Sequence, residues 1–138
     1  MNLADVMNEV AAVAGDVTGM RAFAYPADTI TPPAAVVAYP AGQGIEYNQT
    51  YRNALTRISD LELHLIGSRV TDRSARDQAS AWLDEDDPES MISVLRSHAW
   101  ESCDEVTVIS AEFQGASEAG ALYLDVTLHL DIMGPGVT

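Results

Sequence analysis

The stretch GALYLDVTLHLDI, residues 120–132, decides the fold, because apolar and polar residues alternate through its whole length. A period of two is typical of a β-strand with one buried face and one polar face. At about 3.3 Å per residue this stretch extends roughly 43 Å, well beyond an average strand. We therefore expect it to reach past its own sheet and to pair or pack with something outside the domain. The residues expected at that contact lie on its polar side: Tyr123, Asp125, Thr127 and His129.

The elements before this strand predict the rest of the sheet. A strand over 105–113 and a loop over 114–120 with two glycines form a hairpin with it. Three shorter strands are expected over 20–25, 34–39 and 56–66. In the last of these, Leu61, Leu63 and Leu65 face one way, while Asp60, Glu62 and His64 face the other.

Three helices complete the predicted fold. The first covers 3–14 with Asn2 as its N-cap, and the second covers 73–83 with Asp72 as its cap. The third begins at Asp87-Pro88-Glu89, which is a typical helix start, and carries its apolar residues inward. The order α-β-β-β-α-α-β-β predicts one α+β domain over residues 1–138. It has two layers, a mixed and mostly antiparallel sheet with helices packed on one face.

Composition narrows the classes of function. The chain has 138 residues, seven Arg, no Lys and 21 acidic residues, for a formal net charge of −14. This charge disfavours nucleic acid and anionic membranes as partners. A single cysteine, Cys103, excludes an intramolecular disulfide. The first residues lack the basic region of a secretory signal, so a cytosolic protein is expected.

No motif in the sequence indicates catalysis. The acidic run 84–87 lacks the glycine of an EF-hand loop, and acids flank Cys103, which raises the pKa of a thiol. His64 and His129 could share a metal with Asp60 or Asp131 if their strands were neighbours. The interpretation we favour is that they are polar surface or interface residues. We predict a protein that is not an enzyme, with no cofactor and no bound metal.

Residues 41–54 form a long segment without a clear period, which is typical of a mobile or functional loop. It contains residue types that are common at protein interfaces. The residues expected to dock on a partner are Ile45, Tyr47, Tyr51 and Arg52. At the other end, residues 133–138 contain Gly134-Pro135-Gly136 and are predicted to be a flexible tail.

Several stretches together resemble a known family. They are ITPPAAVVAYP at 30–40, the Gly/Tyr-rich loop, LHLIGSR at 63–69, SMISVL at 90–95 and the closing hairpin. In element order and length, nearly the whole chain is similar to the tail terminator, or minor tail, proteins of long-tailed bacteriophages, especially those of actinobacterial hosts.

This resemblance implies a structural virion protein that forms a ring, typically a hexamer. The ring caps the tail tube at its head-proximal end, stops its growth and offers a joining surface to the head connector. Its partners are then other copies of itself, the tail tube protein and the connector or stopper protein. DNA passes through without specific binding, and assembly takes place in the host cytoplasm. The alternatives are a head–tail connector adaptor, a metal-dependent hydrolase using His64, His129 and nearby acids, or a regulatory binding module.

Overall fold

The structure is a computed structural model that describes residues 1–17, 20–25, 32–42, 44–47, 55–69, 71, 73–118 and 121–135. Across these residues the chain forms three helices and one six-stranded sheet. The helices are α1 (Leu3–Gly15), α2 (Arg73–Leu83) and α3 (Met91–Ser97). The strands are β1 (Arg21–Phe23), β2 (Ala34–Val37), β3 (Gly44–Glu46), β4 (Leu55–Arg69), β5 (Glu105–Glu118) and β6 (Ala121–Pro135).

The sheet is mixed and mostly antiparallel, in the order β1-β2-β4-β6-β5, with β3 paired to the far end of β4. Only the β1–β2 pair is parallel among the described strands. The two long strands β4 and β6 form its centre, and β5 forms one outer edge. The predicted α+β two-layer class is therefore confirmed.

One face of the sheet carries the core. On β4 and β6 the alternating apolar residues, including Leu63 and Leu128, are fully buried and pack in one cluster with residues of all three helices. From α1 this cluster takes Val6 and Val10, one turn apart, while the side chain of Asn2 caps the helix as expected. The opposite face, against which none of the described helices packs, carries the polar side chains of the same strands.

A β-bulge interrupts β4 where the chain passes from Ile58 to Leu61. Ile58 pairs with Ile132 and Leu61 with Leu130, so β4 has one residue more than β6 across this interval. Asp60 adopts a left-handed backbone conformation there, with φ of 55°. The bulge keeps both Ile58 and Leu61 in the core and directs Asp60 toward the polar face.

The hairpin is longer than the sequence predicts. The expected loop is wrong over 114–118, because β5 continues to Glu118, which pairs with Ala121 of β6; residues 119–120 lie outside the described residues. A cross-strand partner holds this glycine-containing stretch extended, and propensity alone does not reveal such a partner. The flexible tail is also wrong for residues 133–135, which belong to β6, while 136–138 lie outside the described residues.

Two local boundaries also differ. The loop over 41–54 contains β3, whose register pairs Ile45 with Ile58, so this part is ordered by β4. The third helix starts at Met91, with Ser90 as its N-cap, and not at Asp87. There the side chain of Asp87 instead accepts a hydrogen bond from the Glu89 backbone within a turn. The predicted cap Asp72 lies outside the described residues.

Candidate functional site

The polar face is defined here as the helix-free side of β4, β5 and β6. Strand register brings its side chains together: Glu62 stands directly opposite His129, and His64 opposite Thr127. On the other side of β6, Glu112 of β5 pairs with Thr127. Because side chains alternate along a strand, these residues project to one side of the sheet. Three strands thus contribute to a single polar surface.

His64 lies at the centre of a partly buried hydrogen-bonded network. Its Nδ1 is 2.9 Å from Oδ2 of Asp125 and 3.1 Å from Oγ1 of Thr127, and its Nε2 is 3.1 Å from Oε1 of Glu62. Thr127 donates to Asp125, and Gln114 donates to Thr127 at 3.0 Å. The contact with Asp125 raises the pKa of His64, against the opposing effect of burial.

His129 is surrounded by carboxylates. Its Nδ1 contacts Oδ1 of Asp60, and its Nε2 lies 3.7 Å from Oε2 of Glu112. The hydrogen bond with Asp60 raises the pKa of His129, burial opposes it, and the charges of Asp60, Glu62 and Glu112 add to it. Asp60, Glu62 and His129 each offer one ligand atom, and these atoms lie within 4.8 Å of one another.

Arg57 closes the polar face at the β3 end. Its Nε donates to Asp131 at 2.7 Å and its Nη1 to Glu46 at 3.0 Å, which joins β3, β4 and β6. A cavity of about 340 Å³ opens between His129 and the ion pair of Arg57 with Asp131. Its lining comprises Arg57, Ser59, Asp60, Ile109, Ser110, His129 and Asp131.

Negative charge dominates this surface. Six carboxylates take part in its contacts, against one guanidinium and two imidazoles among the described residues. The carboxylates are Glu46, Asp60, Glu62, Glu112, Asp125 and Asp131. Six negative charges against Arg57 leave −5 with neutral histidines and −3 with both protonated. Such an excess on a half-buried face attracts cations.

The outer edge of the sheet is a second candidate surface. Among the described residues, β5 pairs with β6 alone, so one side of this 14-residue strand has no partner strand. Phe113 on β5 and Leu122 on β6 are 58% and 52% exposed. Phe113 also lines an apolar groove of about 600 Å³ between the hairpin and α2, together with Ala79 and Leu83.

The residues predicted to contact another subunit differ in how far they are exposed. On β6, Asp125 and Thr127 are buried, and Tyr123 and His129 are half-buried. The exposed residues next to them are on β5. Their role in subunit contact stays a prediction.

Of the predicted docking residues, Tyr47 is exposed and Ile45 packs against the core. Tyr51 and Arg52 lie outside the described residues.

The polar face has members that the sequence did not single out, namely Glu62, Glu112 and Arg57. Arg57 and Glu112 are distant in sequence from the β6 residues that they contact, and Glu62, although two residues from Asp60 and His64, lies opposite His129 only through the register of β4 and β6. The alternation of polar residues in each strand was the available signal.

The remaining motifs have local partners. Burial, with the nearby charge of Glu9, raises the pKa of the Cys103 thiol to about 11, so the thiolate is disfavoured. In the acidic run, Asp84 accepts a hydrogen bond from the Asp86 backbone, and Glu85 pairs with Arg96. Arg76 pairs with Asp77 on the exposed side of α2.

Comparison with known proteins does not identify a family. No protein-family model matches the chain, and no curated protein is significantly similar to it. Within the described part of the chain, none of the helices has the length and apolar character needed to cross a membrane.

Proposed function

We propose that this protein is a non-enzymatic virion component, a bacteriophage tail terminator whose copies form a ring on the end of the tail tube. The observation that carries the proposal is the open edge of β5. A 14-residue edge strand presents a row of backbone donors and acceptors, and proteins usually shorten or cover such edges. A strand of a second copy is a natural partner for it.

The apolar residues beside this edge support the same proposal. Phe113 and Leu122 are more than half exposed, although large apolar side chains gain free energy when they are buried. The groove between the hairpin and α2 adds concave apolar surface next to the open strand. Backbone pairing along the edge would fix the relative orientation of two copies. Burial of these apolar side chains would add affinity.

The charge of the chain fits a ring around DNA. Six copies at −14 each carry a formal charge of −84, so the wall of a central channel would repel phosphates and let DNA pass. The same charge opposes self-association, and we therefore infer that contact with the tail tube promotes ring assembly. Tyr47, exposed beside β3, remains the described residue proposed to dock on the tube.

The β5 contact is tested by Phe113→Asp, which places a charge on the exposed edge without disturbing a buried side chain. At high ionic strength, where the repulsion between copies is screened, we expect wild type to form oligomers in light scattering after size-exclusion chromatography. Under the same conditions the variant should remain monomeric with an unchanged melting temperature. Tyr39→Asp is the matched control, because Tyr39 is equally exposed and lies outside the hairpin. Oligomers of equal size in Phe113→Asp would rule out this contact.

The location of the protein on particles separates the proposed function from its alternative. Antibody labelling at the top of the tail tube supports a tail terminator. Labelling beneath the portal of tail-free heads would instead indicate a head–tail connector adaptor.

A further inference from the structure

We propose that Asp60, Glu62 and His129 bind a divalent transition-metal ion on the polar face. The proposal does not depend on ring formation. It rests on three donor atoms from two strands that already lie within 4.8 Å of one another. Ligand atoms of a tetrahedral zinc site stand about 3.5 Å apart, since each is about 2.0–2.2 Å from the metal. On metal binding, side-chain rotation has to close the gap between the present separations, up to 4.8 Å, and this spacing.

The backbone holds the three ligands in different ways. Glu62 and His129 are directly opposite in the β4–β6 register, so their side chains start from neighbouring positions. Asp60 lies two residues before Glu62 and therefore on the same face of β4. At the bulge its backbone is left-handed, and its carboxylate contacts His129.

Neighbouring side chains act on the ligands as the outer partners of metal sites do. His64 contacts Oε1 of Glu62 at 3.1 Å and is itself held by buried Asp125, which fixes the position of the Glu62 carboxylate. His129 has Nδ1 beside Asp60, and we assign the metal to this nitrogen. Its Nε2 then faces Glu112, 3.7 Å away, as the second ring nitrogen of a ligating histidine usually faces a carboxylate.

The donor set and the cavity indicate the class of metal. One imidazole with two carboxylates suits Zn²⁺ and neighbouring first-row ions better than Mg²⁺ or Ca²⁺, which prefer oxygen ligands alone. Asp60 and His129 also line the cavity of about 340 Å³, which has room for a water molecule as a fourth ligand. The negative excess of the polar face favours a dication further.

Isothermal titration of the chelator-treated protein with Zn²⁺ tests the proposal. We expect one equivalent to bind with micromolar or tighter affinity, and excess Mg²⁺ not to compete. His129→Gln and Glu62→Gln should each weaken binding by at least about tenfold. His98→Gln is the matched control, because His98 also pairs with a carboxylate, that of Glu9, but is not one of the three ligands.

Absence of zinc binding to the wild type, effective competition by Mg²⁺, or unchanged binding in both ligand variants would overturn the proposal. If either ligand variant fails to fold, zinc-edge X-ray absorption of the wild type decides. One imidazole nitrogen among oxygen ligands supports the site, whereas sulfur from Cys103 or a shell of oxygen alone contradicts it.

Discussion

Glu9 on α1 forms a polar contact that ties the helix to the segment before β5. Its carboxylate accepts hydrogen bonds from the Glu101 backbone at 3.0 Å, from the Ser102 backbone at 2.8 Å and from the Ser102 hydroxyl at 2.6 Å. His98 Nε2 lies 2.7 Å away. Burial alone would raise the pKa of Glu9, but these contacts outweigh it and lower the pKa to about 2.

Glu9→Gln is therefore expected to lower the free energy of unfolding at neutral pH by about 1–3 kcal/mol, because hydrogen bonds to a charged acceptor are lost. Urea denaturation measures this loss. Glu89→Gln, at an exposed acid, is the control and should leave stability unchanged. Equal stability of Glu9→Gln and wild type would contradict the role of this contact.

The pH dependence of the same contact has a definite sign. The folded pKa of Glu9 is about 2, below the ordinary value of 4.5, so the unfolded chain takes up the proton first as pH falls. The stabilisation is present above pH 4.5 and is lost as pH falls toward 2. The stability difference between wild type and Glu9→Gln should therefore shrink between these values. A difference that stays constant over that window would be the contrary result.

At the scale of elements, the sequence predicts best where one face of an element is buried. The alternation in β6 and in β4 predicted both strands, and the helical spacing of apolar residues predicted α1 and α2. The ends of β5 and β6 were missed because Gly115 and Gly134 are weak strand formers that are held by cross-strand partners. The start of α3 was missed because both Asp87 and Ser90 are good N-caps and only packing selects between them.

The candidate site was predicted only in part, because it too depends on which residues pair across strands. His64 and His129 were singled out with Asp60, but the choice between surface residues and a shared site depends on which strands are neighbours. The pairing of Glu62 with His129 and the bulge at Asp60 are both long-range properties of the sheet. No local pattern specifies them.

The packing of α2 on β4 gives a prediction at this scale. A methyl group added at Gly67 would stand 3.2 Å from the Trp82 ring and 2.6 Å from Oε1 of Gln78, whose amide oxygen accepts a hydrogen bond from the Ser68 backbone. Gly67→Ala should lower the free energy of unfolding by about 1–3 kcal/mol through overpacking. Ser80→Ala, on the exposed side of α2, is the control. Thermal unfolding that shows no loss for Gly67→Ala would argue against this packing.

The whole molecule combines an open strand edge with a large negative charge. The open edge favours association between copies. The negative charge opposes association through repulsion, which acts over shorter distances as salt concentration rises. We therefore expect oligomers of the purified protein to increase as salt concentration is raised, since added ions screen the repulsion. Sedimentation velocity across a salt series measures this. Dissociation on adding salt would indicate that ion pairs, and not the apolar edge, hold the copies together.

Electron microscopy of the purified protein at high ionic strength tests the central claim, which is that this fold acts through contacts between copies. The account predicts closed rings with a central opening wide enough for duplex DNA, with β5 at the boundary between neighbouring subunits. Particles of single-subunit size at every concentration and salt condition would contradict it.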